Sequence, residues 1–147
     1  MMKSSAKYHL FVPQHSNPDE SGNTEDLSYL LPAIYDQLDK MGFTGRTVHT
    51  DREGHWTSDD GTKYQDKMTI IEIIADDSKE NDTKINSLAG AIATAADQES
   101  VFAYKVPSVT VLSSDATSSR MTLPKTDIKM PPEAPESDSE GDAGLFL

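Results

Sequence analysis

The chain has 147 residues, no Cys and a net charge of −12, with a mean hydropathy of −0.56. Its length suits one domain, and the absence of Cys excludes disulfides, thiolate-held zinc, iron–sulfur clusters and thiol nucleophiles. Residues 1–112 carry 18 acids against 10 bases and residues 113–147 carry 7 against 3, so the acidity is general and both nucleic acid and anionic membrane are poor partners.

The start, "MMKSSAKYHLFVPQ", has a short apolar run broken by Pro13. That is too short for a signal peptide core, and no segment approaches the ~18 apolar residues that span a bilayer. A cytoplasmic protein, or one carried in a virion, is the expectation. "YHLFV" (8–12) reads as a first strand. A loop rich in Pro, Asn, Asp, Ser and Gly follows over 13–26. Thr24, with Glu25 and Asp26 behind it, suits a helix start. Leu27, Leu30, Leu31, Ile34, Leu38 and Met41 then recur at helical spacing. Pro32 lies inside that stripe and predicts a kink or a restart. Gly42 suits the stop.

Residues 45–56 read as a second strand, and "TSDDGTKY" supplies turn chemistry through Asp60-Gly61. "KMTIIEIIADD" (67–77) is the most strand-like piece: four Ile bracket a single Glu72. That near-continuous apolarity predicts a central strand. Asp82 or Thr83 can cap the next helix, whose stripe is Ile85, Leu88, Ala89, Ile92 and Ala96. Residues 100–106 read as a fourth strand, with 108–112 as a further edge strand beyond Pro107.

The order is β-α-β-β-α-β. Its expected packing is the α+β ferredoxin-like plait: an antiparallel sheet with two helices on one face. A homodimer would give the uncovered sheet face a partner. The domain is expected over 1–112. Residues 113–147, rich in Ser, Pro and acids, are expected to form a disordered or extended tail.

The pieces Gly54-His55-Trp56 before a turn, Gly61, the strand ending in Asp76-Asp77, and Gln98-Glu99-Ser100-Val101 after a helix resemble a bacterial family of small proteins. That family is catalogued as domain of unknown function 3574, and "LLP" at 30–32 is similar to its first helix. The resemblance covers roughly residues 8–106. It implies the plait and no activity, cofactor or substrate, so no functional residue carries over. Family members often look exported, whereas this chain shows no signal peptide and adds the acidic tail.

Several constellations compete with ordinary solvation. The four His are His9, His15, His49 and His55. His9 and His49 are expected on one sheet face, two strands apart. Imidazole suits zinc, nickel or copper, but no H-x-x-x-H or HExxH spacing occurs and no strand carboxylate stands at ligand spacing, so no metal is expected. Trp56 is expected to cap the core at a strand end, or to stack on a ligand beside His49 and His55. "SDDG" lacks the alternating ligands of a calcium loop, "GFTG" lacks the Lys of a phosphate loop, and no G-x-S-x-G elbow is present. No catalytic residue and no cofactor follow from the sequence. The tail ends in Leu145, Phe146 and Leu147 behind five acids, a design that suits docking of a short peptide to a protein partner.

The expectation is a non-enzymatic interaction module that binds a protein or small ligand, its acidic tail reaching a partner. The alternatives are a virion or virus-encoded accessory protein whose C-terminal arm packs on neighbouring subunits, and an enzyme of unknown reaction that depends on His49 or His55.

Overall fold

The computed structural model describes residues 4–112 and 121–124. Met1–Thr110 form one compact unit. Val111–Leu147 form a second, in which the described residues 111, 112 and 121–124 carry no helix or strand. Leu145, Phe146 and Leu147, which the sequence suggests for docking, lie outside the described residues.

The elements of the first unit run β1 (Ser5–Pro13), α1 (Leu30–Lys40), β2 (Thr47–Thr57), β3 (Lys63–Asp76), α2 (Lys79–Ala95) and β4 (Ala103–Val109). The sheet order is β2-β3-β1-β4 with every pair antiparallel, which is the ferredoxin-like plait. β1 alternates strictly: Ala6, Tyr8, Leu10 and Val12 are buried and their neighbours are not. Thr69, Ile71 and Ile73 do the same on β3. Ile34 and Leu38 of α1 and Ile85, Leu88, Ala89 and Ile92 of α2 close over that face. The other face of the sheet has no helix on it among the described residues.

α1 departs from the sequence expectation at its start. It begins at Leu30, six residues after Thr24, and Pro32 sits in its first turn. There the missing N–H is not required, whereas a helix begun at Thr24 would drive the Pro32 ring into the carbonyl of residue 28. Leu27 is still buried, from the turn before the helix. Gly42, at φ +93°, ends α1: its N–H reaches the Asp39 carbonyl, and the Phe43 N–H reaches that of Leu38. α2 is capped by Ser78, whose hydroxyl accepts from the Asn81 N–H at 3.1 Å, rather than by Asp82 or Thr83. β4 runs through Pro107 to Val109, which pairs with Ser5 across an irregularity, so no separate strand follows Pro107. Pro is tolerated because β4 is an edge.

β2 and β3 outrun the sheet. β1 pairs with β3 only from Met68 onward, so the five rungs from Glu53–Lys67 to Thr57–Lys63 form a two-stranded arm. Its tip is the expected turn: Gly61 has φ +87°, and Asp60 Oδ1 accepts from the Thr62 N–H and the Ser58 hydroxyl. Lys63 and Tyr64, expected in the turn, belong to the strand.

Candidate functional site

The helix-free face of the sheet is built by the alternate residues that the core leaves over. β1 offers Lys7, His9 and Phe11. β3 offers Ile70, Glu72 and Ile74, and β4 offers Tyr104 and Val106. His49 arrives from β2 opposite Ile70. A bulge at Thr50 and Asp51, with Asp51 at φ +56°, lets β2 keep this register. A side-chain clasp fixes it: Gln14 donates to Asp51 Oδ1 and accepts from the Asp51 N–H.

Glu72 lies at the centre. Its Oε1 is 3.2 Å from Lys7 Nζ, and its Oε2 is 3.2 Å from His49 Nε2 and 3.8 Å from His9 Nε2. The Glu72 side chain is 20% exposed. Burial alone would raise its pKa, but hydrogen bonds from His49 and Lys7 outweigh burial and hold the carboxyl below its ordinary range. His9 moves the other way from its usual value. Burial lowers its pKa, against the pull of Glu72 and with help from neighbouring Lys7 and His49. Its Nδ1 is buried with no hydrogen-bond partner among the described residues, which also favours the neutral ring. The His9 ring stacks on Tyr104 at 4.4 Å between centroids. Phe11 and Phe102 extend the aromatic row beyond that pair.

The arrangement puts an ionised carboxylate with spare acceptor capacity at the foot of an aromatic wall. It can accept hydrogen bonds from ligand hydroxyl or amino groups while rings stack alongside. His9 and His49 do flank β3 on one face, as the strand pattern predicts. A strand carboxylate, Glu72, stands between them. The spacings are those of hydrogen bonds and ion pairs, and among the described residues no group of three His, Asp or Glu converges to hold a metal ion.

The other sequence-derived candidates separate. Trp56 lies on this face but on the arm, 53% exposed. It does not cap the core. It stacks on Tyr64 at 4.2 Å and donates to Asp66 Oδ2. His55 points to the opposite side of the arm, 3.4 Å from Glu53. His15 makes an isolated bridge with Asp26 in the loop after β1. Lys7, Glu72 and Tyr104 were missed as a site. The available signal was Glu72 itself, a lone acid in an apolar strand.

On the helix side a second polar cluster joins β1, β4 and α2. Tyr8 donates to Asp82 Oδ1 at 2.6 Å, and Lys105 pairs with Asp77 at 2.7 Å and Asp82 at 2.9 Å. Burial, then the Asp82 hydrogen bond, pushes the Tyr8 hydroxyl up to about 12. It clips α2 to the sheet. Two clefts, of about 370 Å³ beside Gly42–Gly45 and about 270 Å³ beside Gln14 and Thr50, gather no comparable set of groups. No described helix is long and apolar enough to cross a membrane.

No family model matches the chain, and no curated protein does. Solved structures share its fold. A phage SAM lyase in complex with S-methyl-5′-thioadenosine is 16% identical, with a TM-score of 0.53 over 73% of this chain and 84% of that one. The divalent ion tolerance protein CutA1 from Ehrlichia chaffeensis is 8% identical, with a TM-score of 0.49 over 80% and 92%. The GlnK–ATP complex of B. subtilis is 15% identical, with a TM-score of 0.47 over 72% and 84%. At these identities the likeness is one of fold.

Proposed function

We propose that the chain is a ligand-binding module whose site is the Glu72 cluster on the open sheet face, and that its ligand is a purine nucleoside. The observation that carries this is Glu72 itself: an ionised, four-fifths buried carboxylate between Lys7 and His49, beside the His9–Tyr104 stack. A carboxylate of this kind pairs with ribose hydroxyls, and the aromatic row offers a face to a purine. The nucleoside in the phage structure supports that ligand class. Binding needs no reaction, in keeping with the absence of a nucleophile motif in the sequence.

Titration calorimetry with S-methyl-5′-thioadenosine tests this. Wild-type protein is expected to bind. Glu72→Gln keeps the shape and removes the charge, and is expected to weaken binding at least about tenfold, the effect of one charged hydrogen bond. Tyr104→Ala is expected to weaken it by a similar factor. No heat from folded wild-type protein, or equal affinity in Glu72→Gln, refutes the site.

A second reading is favoured by the imidazole–carboxylate contact of His49 and Glu72, which is a proton-transfer geometry. It is a virus-encoded lyase acting on a ligand of the same class. Incubation with SAM, followed by chromatography, separates the two. Release of S-methyl-5′-thioadenosine that disappears in Glu72→Gln selects the lyase, and no release selects binding alone. The acidic tail would serve either role by reaching a protein partner through Leu145, Phe146 and Leu147. Deleting 143–147 without change in any partner's affinity removes that part.

A further inference from the structure

We propose that Gln14 and Asp51 are positioning residues of the open-face site: their clasp holds the bulge that turns His49 towards Glu72 and away from the helices. The register shows what the bulge does. From the Thr57–Lys63 rung at the arm tip, the ladder runs unbroken to Arg52–Met68. Continued in step, it would set Asp51 opposite Thr69, Thr50 opposite Ile70 and His49 opposite Ile71. Ile71 is fully buried beneath the helices, so His49 would fall on the helix side and Thr50 would take its place on the open face. The observed pairs are instead Val48–Ile71 and His49–Ile70. Thr50 and Asp51 together oppose the single residue Thr69, and this one extra residue exchanges the two sides. In the shifted register His49 Nε2 comes to 3.2 Å from Glu72 Oε2.

The bulge is costly for the residue that makes it. Asp51 has φ +56°, in the left-handed region that few residues other than Gly, Asn and Asp enter. The part of β2 that depends on it is three rungs long, Thr47–Glu72, Val48–Ile71 and His49–Ile70, and β2 is an edge of the sheet. Gln14 supplies a restraint from outside the β2–β3 pair. Its Nε2 donates to Asp51 Oδ1 at 3.0 Å, and its Oε1 accepts from the Asp51 N–H at 2.9 Å. One amide plane thus grips both the side chain and the backbone of the left-handed residue. Gln14 is itself fixed just after β1: its N–H donates to the Lys67 carbonyl at 3.0 Å, and its carbonyl accepts from the Leu27 N–H at 2.8 Å. The clasp therefore ties β2 to the end of β1 across β3, which lies between them. Both residues act through His49. Only their effect on ligand affinity rests on the nucleoside site proposed above; the register does not.

Nuclear Overhauser contacts in the ligand-free full chain test this. Wild-type protein is expected to show cross-strand contacts of His49 with Ile70 and ring contacts of His49 with Glu72. Gln14→Leu keeps the volume and removes both hydrogen bonds. It is expected to lose these contacts while the core and α2 keep theirs. Gln14→Glu with Asp51→Asn exchanges donor and acceptor, so that the new amide donates to the new carboxylate, and is expected to restore them. Deletion of Asp51 removes the extra residue. His49 then meets Ile70 in an unbroken ladder, and Gln14→Leu added to that deletion is expected to change nothing at His49. In calorimetry with S-methyl-5′-thioadenosine, Gln14→Leu is expected to bind about fivefold more weakly than wild type, the worth of one hydrogen bond. The exchanged pair is expected to bind as wild type does. Contacts that behave as described in protein that binds no nucleoside uphold the positioning and refute the ligand. The positioning is overturned by a wild type without the His49–Glu72 contact, or by a contact that survives Gln14→Leu. It is overturned equally if the exchanged pair restores nothing, or if Gln14→Leu still breaks the contact in the Asp51 deletion. General unfolding of Gln14→Leu that the exchanged pair does not repair makes Gln14 a plain structural residue and overturns it too.

Discussion

Tyr8 shows how one hydroxyl ties the fold to pH. It is 2% exposed and its proton is held on Asp82, so its pKa rises from 10 to about 12. The unfolded chain releases that proton first, so stability is present below pH 10 and is lost as pH rises towards 12. The two-unit interval corresponds to about 2–3 kcal/mol. Lys105, raised by Asp77 and then Asp82, acts in the same direction. Denaturant melts from pH 9 to 12 are expected to fall steeply for wild type and less steeply for Tyr8→Phe, which starts about 1 kcal/mol lower for its lost hydrogen bond. Equal slopes would detach Tyr8 from the alkaline limit. On the acid side the sign reverses. His9 is depressed by burial, so its contribution is present above about 6.5 and is lost as pH falls. Glu72, held low by His49 and Lys7 against burial, follows from about 4.5 downward. Relief of the −12 charge on acidification works the other way, so the informative quantity is the difference between wild type and His9→Gln. That difference is expected to narrow below pH 6, and a constant gap contradicts the assignment.

Elements whose burial pattern has a clear period were legible in the sequence, and their ends were not. The apolar runs of β1 and β3 are strands, with β3 interior to the sheet, and the α2 stripe is buried in the core. α1 was read six residues too long at its start because Leu27 continues the stripe, although it is buried from a turn. Ser78 was passed over as a cap since Asp82 and Thr83 look equally able to cap. Replacing it by Ala leaves the Asn81 N–H without its acceptor and is expected to cost about 1 kcal/mol. Thermal melts check this, and Thr83→Ala is the comparison expected to change little. The arm could not be read from residues 45–67 alone. Whether a hairpin outruns its sheet depends on where β1 stops, at Pro13 opposite Met68. Trp56 was misplaced for that reason: a Trp near a strand end caps a core only if the sheet continues beneath it.

For the whole molecule, the plait divides its labour between two faces. One is filled by α1 and α2 and clipped at Tyr8, Asp82 and Lys105. The other carries Glu72, the aromatic row and the arm. The sequence pointed to that second face by leaving His9 and His49 on it, but not to the meeting of Lys7, Glu72 and Tyr104, because residues 7, 72 and 104 come together only through strand order. The most direct measurement is an amide chemical-shift map of the full chain titrated with S-methyl-5′-thioadenosine. Saturable shifts concentrated at Lys7, His9, His49, Glu72 and Tyr104, and absent in Glu72→Gln, are the expected result. An unchanged spectrum, or shifts gathered at the Gly42–Gly45 cleft instead, would contradict the site.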